Sequence, residues 1–478
     1  MTICPGCGAG MRFDIATQKL LCDYCGTAMN VEETEEGRNA VDSTDAIPGA
    51  QPEDLMEVTV FTCPQCGGEI YTAGSEAQSF CTFCGASVTL EGRLTSTRRP
   101  LHIIPFKKTR EDCKKIYAGL TRKAVFTPKE LKDPEYLERF RGIYLPFWNY
   151  NITQKGPVKL KGSRESGNYT EHLKMTADLD ITYDGIAYDA SSSFDDGLCR
   201  AITPFNQSSL KPFHTGYLSG FFADTADVES QVYTTDAKGD ANEETLSRLS
   251  KKFDASIDMP KDKSEKLNTK IENVTIAMYP VWFLTYRMKD RVAYAVVNGE
   301  TGKIAADLPV DRRKYLLGSV LLAIPLFFLL TFLPTITATR LLGISVLMAL
   351  AAFAIFALST REIKKKELRL DDKGYQARLK DTGQSASDGS RPAQAGKEAA
   401  IPENVFVRVC RTYLPLVVSA LGILILLIRP VSDLYYYGGT IIILACVCFT
   451  LTGLIGRFNL LTTRPLPNLH ERGGDLYV

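Results

Sequence analysis

Histidine and tryptophan are scarce in this sequence, which has four histidines and two tryptophans among 478 residues. The histidines, His102, His172, His214 and His470, stand far apart. The sequence contains neither an HExxH metal motif nor a GxxxxGKS/T phosphate loop. No combination of residue types therefore indicates a catalytic site, and we expect the protein not to be an enzyme.

Charge is absent from four long stretches, although the whole chain is nearly neutral (+1) and 45% apolar. These stretches are Tyr315–Thr339, Leu341–Thr360, Thr412–Ile428 and Leu434–Gly456. A helix needs about 20 apolar residues to cross a bilayer. The pattern predicts four transmembrane helices in two hairpins, over residues 312–360 and 412–457, in a multi-pass protein of the cell membrane.

The basic residues around these stretches predict the topology. They lie before the first stretch (Arg312, Arg313, Lys314), after the second (Arg361, Lys364, Lys365, Lys366, Arg369, Lys373), before the third (Arg408, Arg411) and after the fourth (Arg457, Arg464, Arg472). Each hairpin turn carries one arginine, Arg340 or Arg429. Because basic residues favour the cytoplasmic side, we expect both termini and the 361–411 loop in the cytoplasm.

Eight of the 13 cysteines form two quartets of CxxC pairs near the N-terminus. The quartets are Cys4, Cys7, Cys22 and Cys25, and Cys63, Cys66, Cys81 and Cys84, and each cysteine of the second lies 59 residues after its counterpart. Two CxxC pairs supply the four thiolates of a closed tetrahedral zinc site. The repeat predicts two zinc ribbons that hold two structural Zn²⁺ ions.

A glycine follows each CxxC pair, at Gly8, Gly26, Gly67 and Gly85. We expect positive φ there, because the backbone must turn around the metal. Disulfides are the alternative. The first thirty residues lack the apolar segment of a secretory signal, so we expect reduced cysteines.

The domain organisation follows from these segments. We predict zinc ribbon 1 at 1–30, an acidic flexible linker at 31–57, zinc ribbon 2 at 58–92, a cytoplasmic α+β domain at 93–311, the first transmembrane hairpin at 312–360, a charged, low-complexity loop at 361–411, the second hairpin at 412–457 and a cytoplasmic tail at 458–478. The fold class is therefore multi-domain, with two small β ribbons, an α+β domain and four transmembrane α-helices.

Local patterns predict several elements of the α+β domain. Thr109 and Asp112 form a capping box for a helix that continues to Lys123. Pro146 interrupts the strand Ile143–Ile152, which indicates an edge or the end of a strand. Turns are predicted for two hairpins, at Tyr183-Asp184-Gly185 and at Met288-Lys289-Asp290.

The stretch 93–123 is strongly basic, with ten basic residues against Glu111 and Asp112. It could face anionic lipid headgroups or pair with the acidic linker, and the sequence does not separate these two. Nucleic acid is a weaker partner for the ribbons, since they carry few basic residues to neutralise phosphates.

Five segments of the chain resemble bacterial membrane proteins with TFIIB-type zinc ribbons, the YdjG type. They are Ile103–Phe106 (IIPF), Tyr144–Tyr150 (YLPFWNY), Thr203–Glu229, Tyr279–Arg287 (YPVWFLTYR) and Tyr294–Val310. The resemblance implies membrane scaffolding, in envelope stress or SPFH-type membrane organisation, with protein partners of the SPFH/flotillin or phage-shock type. The second ribbon and second hairpin depart from a simpler single-hairpin pattern.

Together these features predict a polytopic membrane adaptor whose ribbons and α+β domain recruit protein partners. Two alternatives stay open. One is a membrane-tethered nucleic-acid-binding protein, and the other is a membrane enzyme with an unrecognised site within residues 143–300.

Overall fold

A computed structural model describes residues 2–33, 55–72, 81–86, 91–167, 169–258, 263–288, 290–331, 336–381 and 405–466. Most of the predicted acidic linker and of the low-complexity part of the 361–411 loop lies outside these residues, as does the tail beyond residue 466.

Sixteen strands are present in the described residues. They are β1 Arg12–Asp14, β2 Lys19–Leu21, β3 Ala28–Met29, β4 Leu55–Thr62, β5 Glu69–Thr72, β6 Glu91–Arg98, β7 His102–Ile103, β8 Arg141–Ser166, β9 Tyr169–Asp189, β10 Lys211–Pro212, β11 Phe222–Asp224, β12 Ser256–Ile257, β13 Thr269–Met288, β14 Arg291–Asn298, β15 Ile304–Ala306 and β16 Arg464–Pro465.

The same residues contain eleven α-helices. They are α1 Arg110–Lys123, α2 Pro134–Leu137, α3 Asp196–Ile202, α4 Thr234–Phe253, α5 Lys263–Lys266, α6 Arg312–Thr331, α7 Ala338–Glu367, α8 Lys373–Asp381, α9 Val405–Ile428, α10 Asp433–Thr452 and α11 Leu454–Leu461.

Two sheets organise the N-terminal part of the chain. Strands β1, β2 and β3 form a small antiparallel sheet around the first cysteine quartet. The large sheet has the order β10-β7-β13-β8-β11-β5-β4-β6, and β9, β12, β14, β15 and β16 join it off this path. The second ribbon is therefore part of the large sheet, because β5 pairs with β11. This part of the protein is a sheet-rich domain.

Strand β8 lies in the middle of the large sheet, so the prediction that Pro146 marks an edge was wrong. On one side β8 pairs with β13, where Pro146 stands opposite Met278. On the other side β11 pairs with Ile143 and Tyr144, and β9 begins to pair at Phe147. The proline stands in the gap between β11 and β9. A central strand tolerates proline there, because no strand pairs with this residue on the side of β11 and β9 and its missing N–H therefore removes no hydrogen bond of the sheet.

The hairpin predicted at Tyr183-Asp184-Gly185 was also wrong, since β9 runs without a break from Tyr169 to Asp189. The register between β8 and β9 shifts where Tyr150 and Ile152 face Ile186 and Tyr183. Gly185 has a φ of 71° at this point. The residues Tyr183-Asp184-Gly185 thus form a β-bulge within a long strand. A β-bulge, like a tight turn, can require a glycine with positive φ.

Two other local predictions are confirmed. Thr109 caps α1, and its side chain and that of Asp112 exchange hydrogen bonds with each other's backbone N–H groups. Strands β13 and β14 form a hairpin in which Met288 faces Arg291. In both cases the residues that form the feature are close together in the sequence.

Among the described residues, three helices are long and apolar enough to cross a membrane: Ala338–Glu367, Val409–Ile428 and Asp433–Leu461. They pack around Leu342, Val346 and Ile443, and small residues let the helices approach closely. A Cβ added at Gly422 would lie 2.6 Å from a methyl group of Val346. Helix α6 is also apolar, but it is not one of these three, so four spans are not established.

Candidate metal centres and the domain junction

The structure brings the cysteines of each quartet together. In site 1, the Sγ atoms of Cys4 and Cys25 are 3.5 Å apart, and so are those of Cys7 and Cys22. In site 2, the distances Cys63–Cys84 and Cys66–Cys81 are both 3.8 Å. Within each group, all ligand atoms lie within 4.8 Å of one another.

These distances match tetrahedral zinc coordination. Zn–S bonds of about 2.3 Å in a tetrahedron place the sulfur atoms about 3.8 Å apart. Four thiolates close the coordination shell, so a metal ion there would have a structural role and no open position for substrate. The two groups are therefore zinc-type sites.

The backbone of each CxxC pair turns in the same way. The N–H of each following glycine donates to the carbonyl of the first cysteine of its pair, at 2.7 to 2.9 Å. The predicted positive φ angles are confirmed, at 76° for Gly8, 74° for Gly26, 73° for Gly67 and 67° for Gly85. The repeated geometry explains why the glycines recur with the cysteines.

Site 1 lies at the surface. Cys4 and Cys22 are buried, whereas Cys7 and Cys25 are exposed. Hydrogen bonds from the Thr27 hydroxyl, 3.0 Å from the sulfur, and from the Thr27 backbone N–H lower the pKa of Cys25 to about 6. These hydrogen bonds favour the thiolate form of Cys25, which is the form that binds metal.

Site 2 lies inside the sheet-rich domain, and all four of its cysteines are buried. They share a core with strands β8, β13 and β14. The Tyr294 hydroxyl donates to the Phe83 carbonyl at 2.9 Å, and the Thr285 hydroxyl donates to the Thr82 carbonyl. The second CxxC pair of ribbon 2 is thus held directly by the hairpin of β13 and β14.

Ribbon 1 contacts the domain through strand β1 and the turn that follows it. The Phe13 N–H donates to the Ser219 carbonyl at 2.9 Å, and the rings of Phe13 and Tyr217 meet edge to face at 5.3 Å. Gln18 donates to the Phe106 carbonyl at 2.8 Å. The loop that carries Cys25 consequently faces away from these contacts, towards solvent.

The structure also contains a cluster of largely buried charged residues that no sequence pattern predicted, where the domain meets the segments after α7 and α11. We call it the junction, and its charged residues are Asp189, Asp195, Asp196, Arg291, Asp307, Glu367, Arg369, Asp372 and Arg464. They come from five separate segments of the sequence, around residues 189–196, 291, 307, 367–372 and 464, so only the folded chain brings them together.

Arg464 connects the C-terminal segment to the sheet-rich domain. Its guanidinium pairs with Asp195 and lies 3.4 Å from Asp307. Burial works to raise the pKa of Asp195, but Arg464 and Arg369 outweigh it, so this pKa lies below its ordinary value. In addition, Arg291 pairs with Glu367 at 2.7 Å.

The segment after α7 also folds back onto the domain. Arg369 donates to the Ser192 carbonyl at 3.1 Å and pairs with Asp372. Lys373 pairs with Asp236 on α4 at 2.6 Å. Burial raises the pKa of Asp372 to about 7, although Arg369 opposes this shift.

A small cavity lies beside the junction, lined by Phe147, Tyr188, Asp189, Asp196, Cys199 and Thr203, among others. The Cys199 thiol donates to Asp189 at 3.3 Å. Burial raises the pKa of both groups well above their ordinary values. Burial therefore disfavours the thiolate of Cys199, which is the nucleophilic form of a cysteine.

The basic stretch 93–123 is divided between two environments. At the N-terminal end of α1, Lys114 pairs with Glu138, and Arg110 lies 3.9 Å from the same carboxylate. At its C-terminal end, Arg122 and Lys123 are exposed. Part of the predicted positive surface is therefore neutralised within the domain.

Over 321 residues, the chain is 26% identical to a protein of Bacillus subtilis (strain 168) named "Uncharacterized protein YdjG". The alignment covers 65% of this chain and 90% of that protein. No family model matches the chain, and no solved structure matches it. The similarity agrees with the YdjG-type resemblance, whereas the TFIIB-type assignment of the ribbons stays a prediction.

Proposed function

We propose that the protein is a membrane adaptor, in which two structural zinc ions shape a cytoplasmic domain that recruits protein partners. The observation that carries this proposal is the exposed surface of ribbon 1. Tyr24, between Cys22 and Cys25, is 89% exposed, and Ile3 beside Cys4 is 64% exposed. Tyrosine is among the residue types that are enriched in protein–protein interfaces and in their hot spots.

The junction supports a defined topology for this adaptor. Residues before α6, after α7 and after α11 all contact the same domain, through Asp307, Arg369 and Arg464. Segments that share one folded domain lie on one side of the membrane. The chain must therefore cross an even number of times between Asp307 and Arg369, and again between Arg369 and Arg464.

The need for an even number of crossings supports a fourth membrane span. Between Arg369 and Arg464, the candidate helices Val409–Ile428 and Asp433–Leu461 provide two crossings. Between Asp307 and Arg369, Ala338–Glu367 provides one, and α6 is the apolar helix that can provide the other. Both hairpins, with both termini in the cytoplasm, belong to the proposal.

The experiment removes the exposed side chain of ribbon 1 and leaves the metal sites intact. Full-length protein with Tyr24→Ser is purified from membranes beside wild type, with Tyr169→Ser as the control. Tyr169 is similarly exposed, at 81%, but lies at the start of β9. We expect a partner that co-purifies in fixed ratio with wild type and with the control, but not with Tyr24→Ser.

Identical partners for all three proteins would contradict recruitment through ribbon 1. Zinc content is measured in the same samples, because an unchanged content of two ions per chain shows that the ribbons are intact. The partner classes implied by the resemblance, SPFH/flotillin-type and phage-shock-type proteins, are the first candidates to identify by mass spectrometry.

The cavity beside the junction favours a second candidate, a membrane enzyme. A pocket with strongly shifted pKa values is typical of active sites, and this one contains Asp189 and Cys199. The raised pKa of Cys199 argues against a nucleophilic thiol. Alkylation of this cysteine by iodoacetamide at pH 7, in folded protein, would strengthen the enzyme candidate, and the absence of reaction would weaken it.

A further inference from the structure

A short loop beside α6 exposes two neighbouring apolar side chains. The loop Ala124–Pro128 follows α1, and within it Val125 is 67% exposed and Phe126 is 36% exposed. The two side chains form a small apolar patch on the surface beside the first residues of α6.

Contacts fix this loop at the start of α6. The Asp311 N–H donates to the Phe126 carbonyl at 2.8 Å, and Lys314 donates to the Thr127 carbonyl at 2.6 Å. The rings of Phe126 and Tyr315 meet edge to face at 5.5 Å. A Cβ at Gly318 would lie 2.6 Å from the Phe126 ring, so a glycine is needed for this close approach.

These contacts set the depth of the loop relative to the apolar part of α6. The helix rises about 9 Å over the six steps from Arg312 to Gly318. The headgroup region of one leaflet is about 5–8 Å thick. If Arg312 lies at the membrane surface, the Phe126 ring lies near the boundary between headgroups and hydrocarbon.

The charges around the loop match an anionic surface. Arg122, Lys123 and Lys129 flank Val125 and Phe126, and all three are exposed. Arg312 and Arg313, at the start of α6, are exposed as well. Basic residues close to a bilayer are attracted by anionic headgroups, and apolar side chains between them can enter the interface.

We propose that Ala124–Pro128 is a lipid anchor, which inserts Val125 and Phe126 into a bilayer surface containing anionic lipid. The anchor holds the sheet-rich domain against the membrane at a point separate from the junction. This inference rests on the membrane association of α6, and it does not depend on recruitment of protein partners through ribbon 1.

The test places a tryptophan in the loop of the full-length protein. Val125→Trp is reconstituted in nanodiscs of phosphatidylcholine and phosphatidylglycerol, with and without bromine on the acyl chains as a quencher. The native Trp148 and Trp282 are 8% and 4% exposed, and their signal is subtracted using the wild-type protein. The control is Tyr169→Trp, at the start of β9.

We expect brominated lipid to quench the tryptophan of Val125→Trp and to leave that of Tyr169→Trp unchanged. Equal quenching of the two variants would overturn the anchor. Recovery of both proteins in nanodiscs shows membrane integration independently, so failure of the anchor is distinguishable from failure of the membrane assignment.

The preference for anionic lipid is tested by changing the charge of the lipid or the charge of the loop. Nanodiscs of phosphatidylcholine alone, or the added changes Lys123→Gln and Lys129→Gln, should reduce the quenching of Val125→Trp. Quenching that is unchanged by the lipid composition and by the lysine substitutions would overturn the preference for anionic lipid.

Hydrogen exchange of wild-type residues 124–128 provides a measurement without a loop substitution. We expect slower exchange in anionic than in zwitterionic nanodiscs. Equal exchange in the two lipids would likewise overturn the preference for anionic lipid.

Discussion

The two ribbons have the same cysteine spacing but different places in the molecule. Ribbon 1 keeps its own three-stranded sheet and leaves two of its four cysteines exposed. Ribbon 2 shares strands with the large sheet, and all four of its cysteines are buried. The difference shows that a repeated metal motif can serve as a surface module in one copy and as part of a domain core in the other.

Residues at equivalent positions, 59 apart, show how the sequence accommodates the two roles. Tyr24 is 89% exposed, whereas its counterpart Phe83 is 3% exposed. The neighbour of Phe83 is Gly68, which leaves room for the ring, and the counterpart of Gly68 is Ala9. The ligands are conserved between the copies, and the surrounding side chains determine whether the ribbon is exposed or buried.

The largest difference in stability between the two ribbons is expected when the metal site of one or the other is removed. Cys81→Ser and its counterpart Cys22→Ser should each reduce the zinc content from two ions to one. Structural zinc contributes on the order of 10 kcal/mol to folding in small zinc domains. We expect this loss to destabilise the whole sheet-rich domain only in Cys81→Ser, since site 2 lies in its core.

Thermal unfolding in detergent, followed by the fluorescence of Trp148 and Trp282, reports on that domain. Zinc release to a chelator provides a second measurement on wild type, and we expect the exposed site 1 to lose its ion first. Equal unfolding midpoints for the two variants would show that ribbon 2 is as independent as ribbon 1.

A smaller difference in the free energy of unfolding is expected between substitutions of the equivalent residues Phe83 and Tyr24. Phe83→Ala removes a buried ring and should cost about 3–5 kcal/mol. Tyr24→Ala removes an exposed ring and should change stability by no more than about 0.5 kcal/mol. Denaturant unfolding of the two variants measures both values, and a large cost for Tyr24→Ala would mean that this residue packs within the protein.

Substitution of Gly68, the glycine beside Phe83, should have an intermediate effect on stability. In Gly68→Ala the added Cβ would lie 2.6 Å from the Phe83 ring. We expect the overpacked site to lose about 1–3 kcal/mol. The control Ala9→Gly should lose less than about 1 kcal/mol, through backbone entropy alone. If Phe83→Leu restores the stability of Gly68→Ala, the clash is the cause; no restoration would point to the backbone.

The smallest effect is expected at the surface of ribbon 1. Arg12 and Asp23 form an ion pair at 2.8 Å, with more than half of each side chain exposed. Asp23→Asn should cost about 0.2–1 kcal/mol at low salt, and the difference from wild type should vanish in 1 M salt. A larger or salt-independent cost would show that the exposed ribbon depends on its surface charges.

The elements that sequence patterns predicted well depend on neighbouring residues. The cysteine quartets, their glycines, the capping box at Thr109 and the turn at Met288 are all short-range patterns, and the structure contains each of them. The two wrong predictions, at Pro146 and Gly185, concern residues whose role depends on which strand lies alongside. Sheet neighbours are set by long-range pairing, which a local pattern does not encode.

Ligand spacing and hydrophobic length are local properties of the chain, so the two zinc-type sites and the apolar helices could be predicted from the residues alone. Which ribbon is buried, and the contacts of Arg369 and Arg464 with the sheet-rich domain at the junction, became visible only in the folded protein. Burial and ion pairing depend on groups far apart in the sequence, and these groups come together when the large sheet forms.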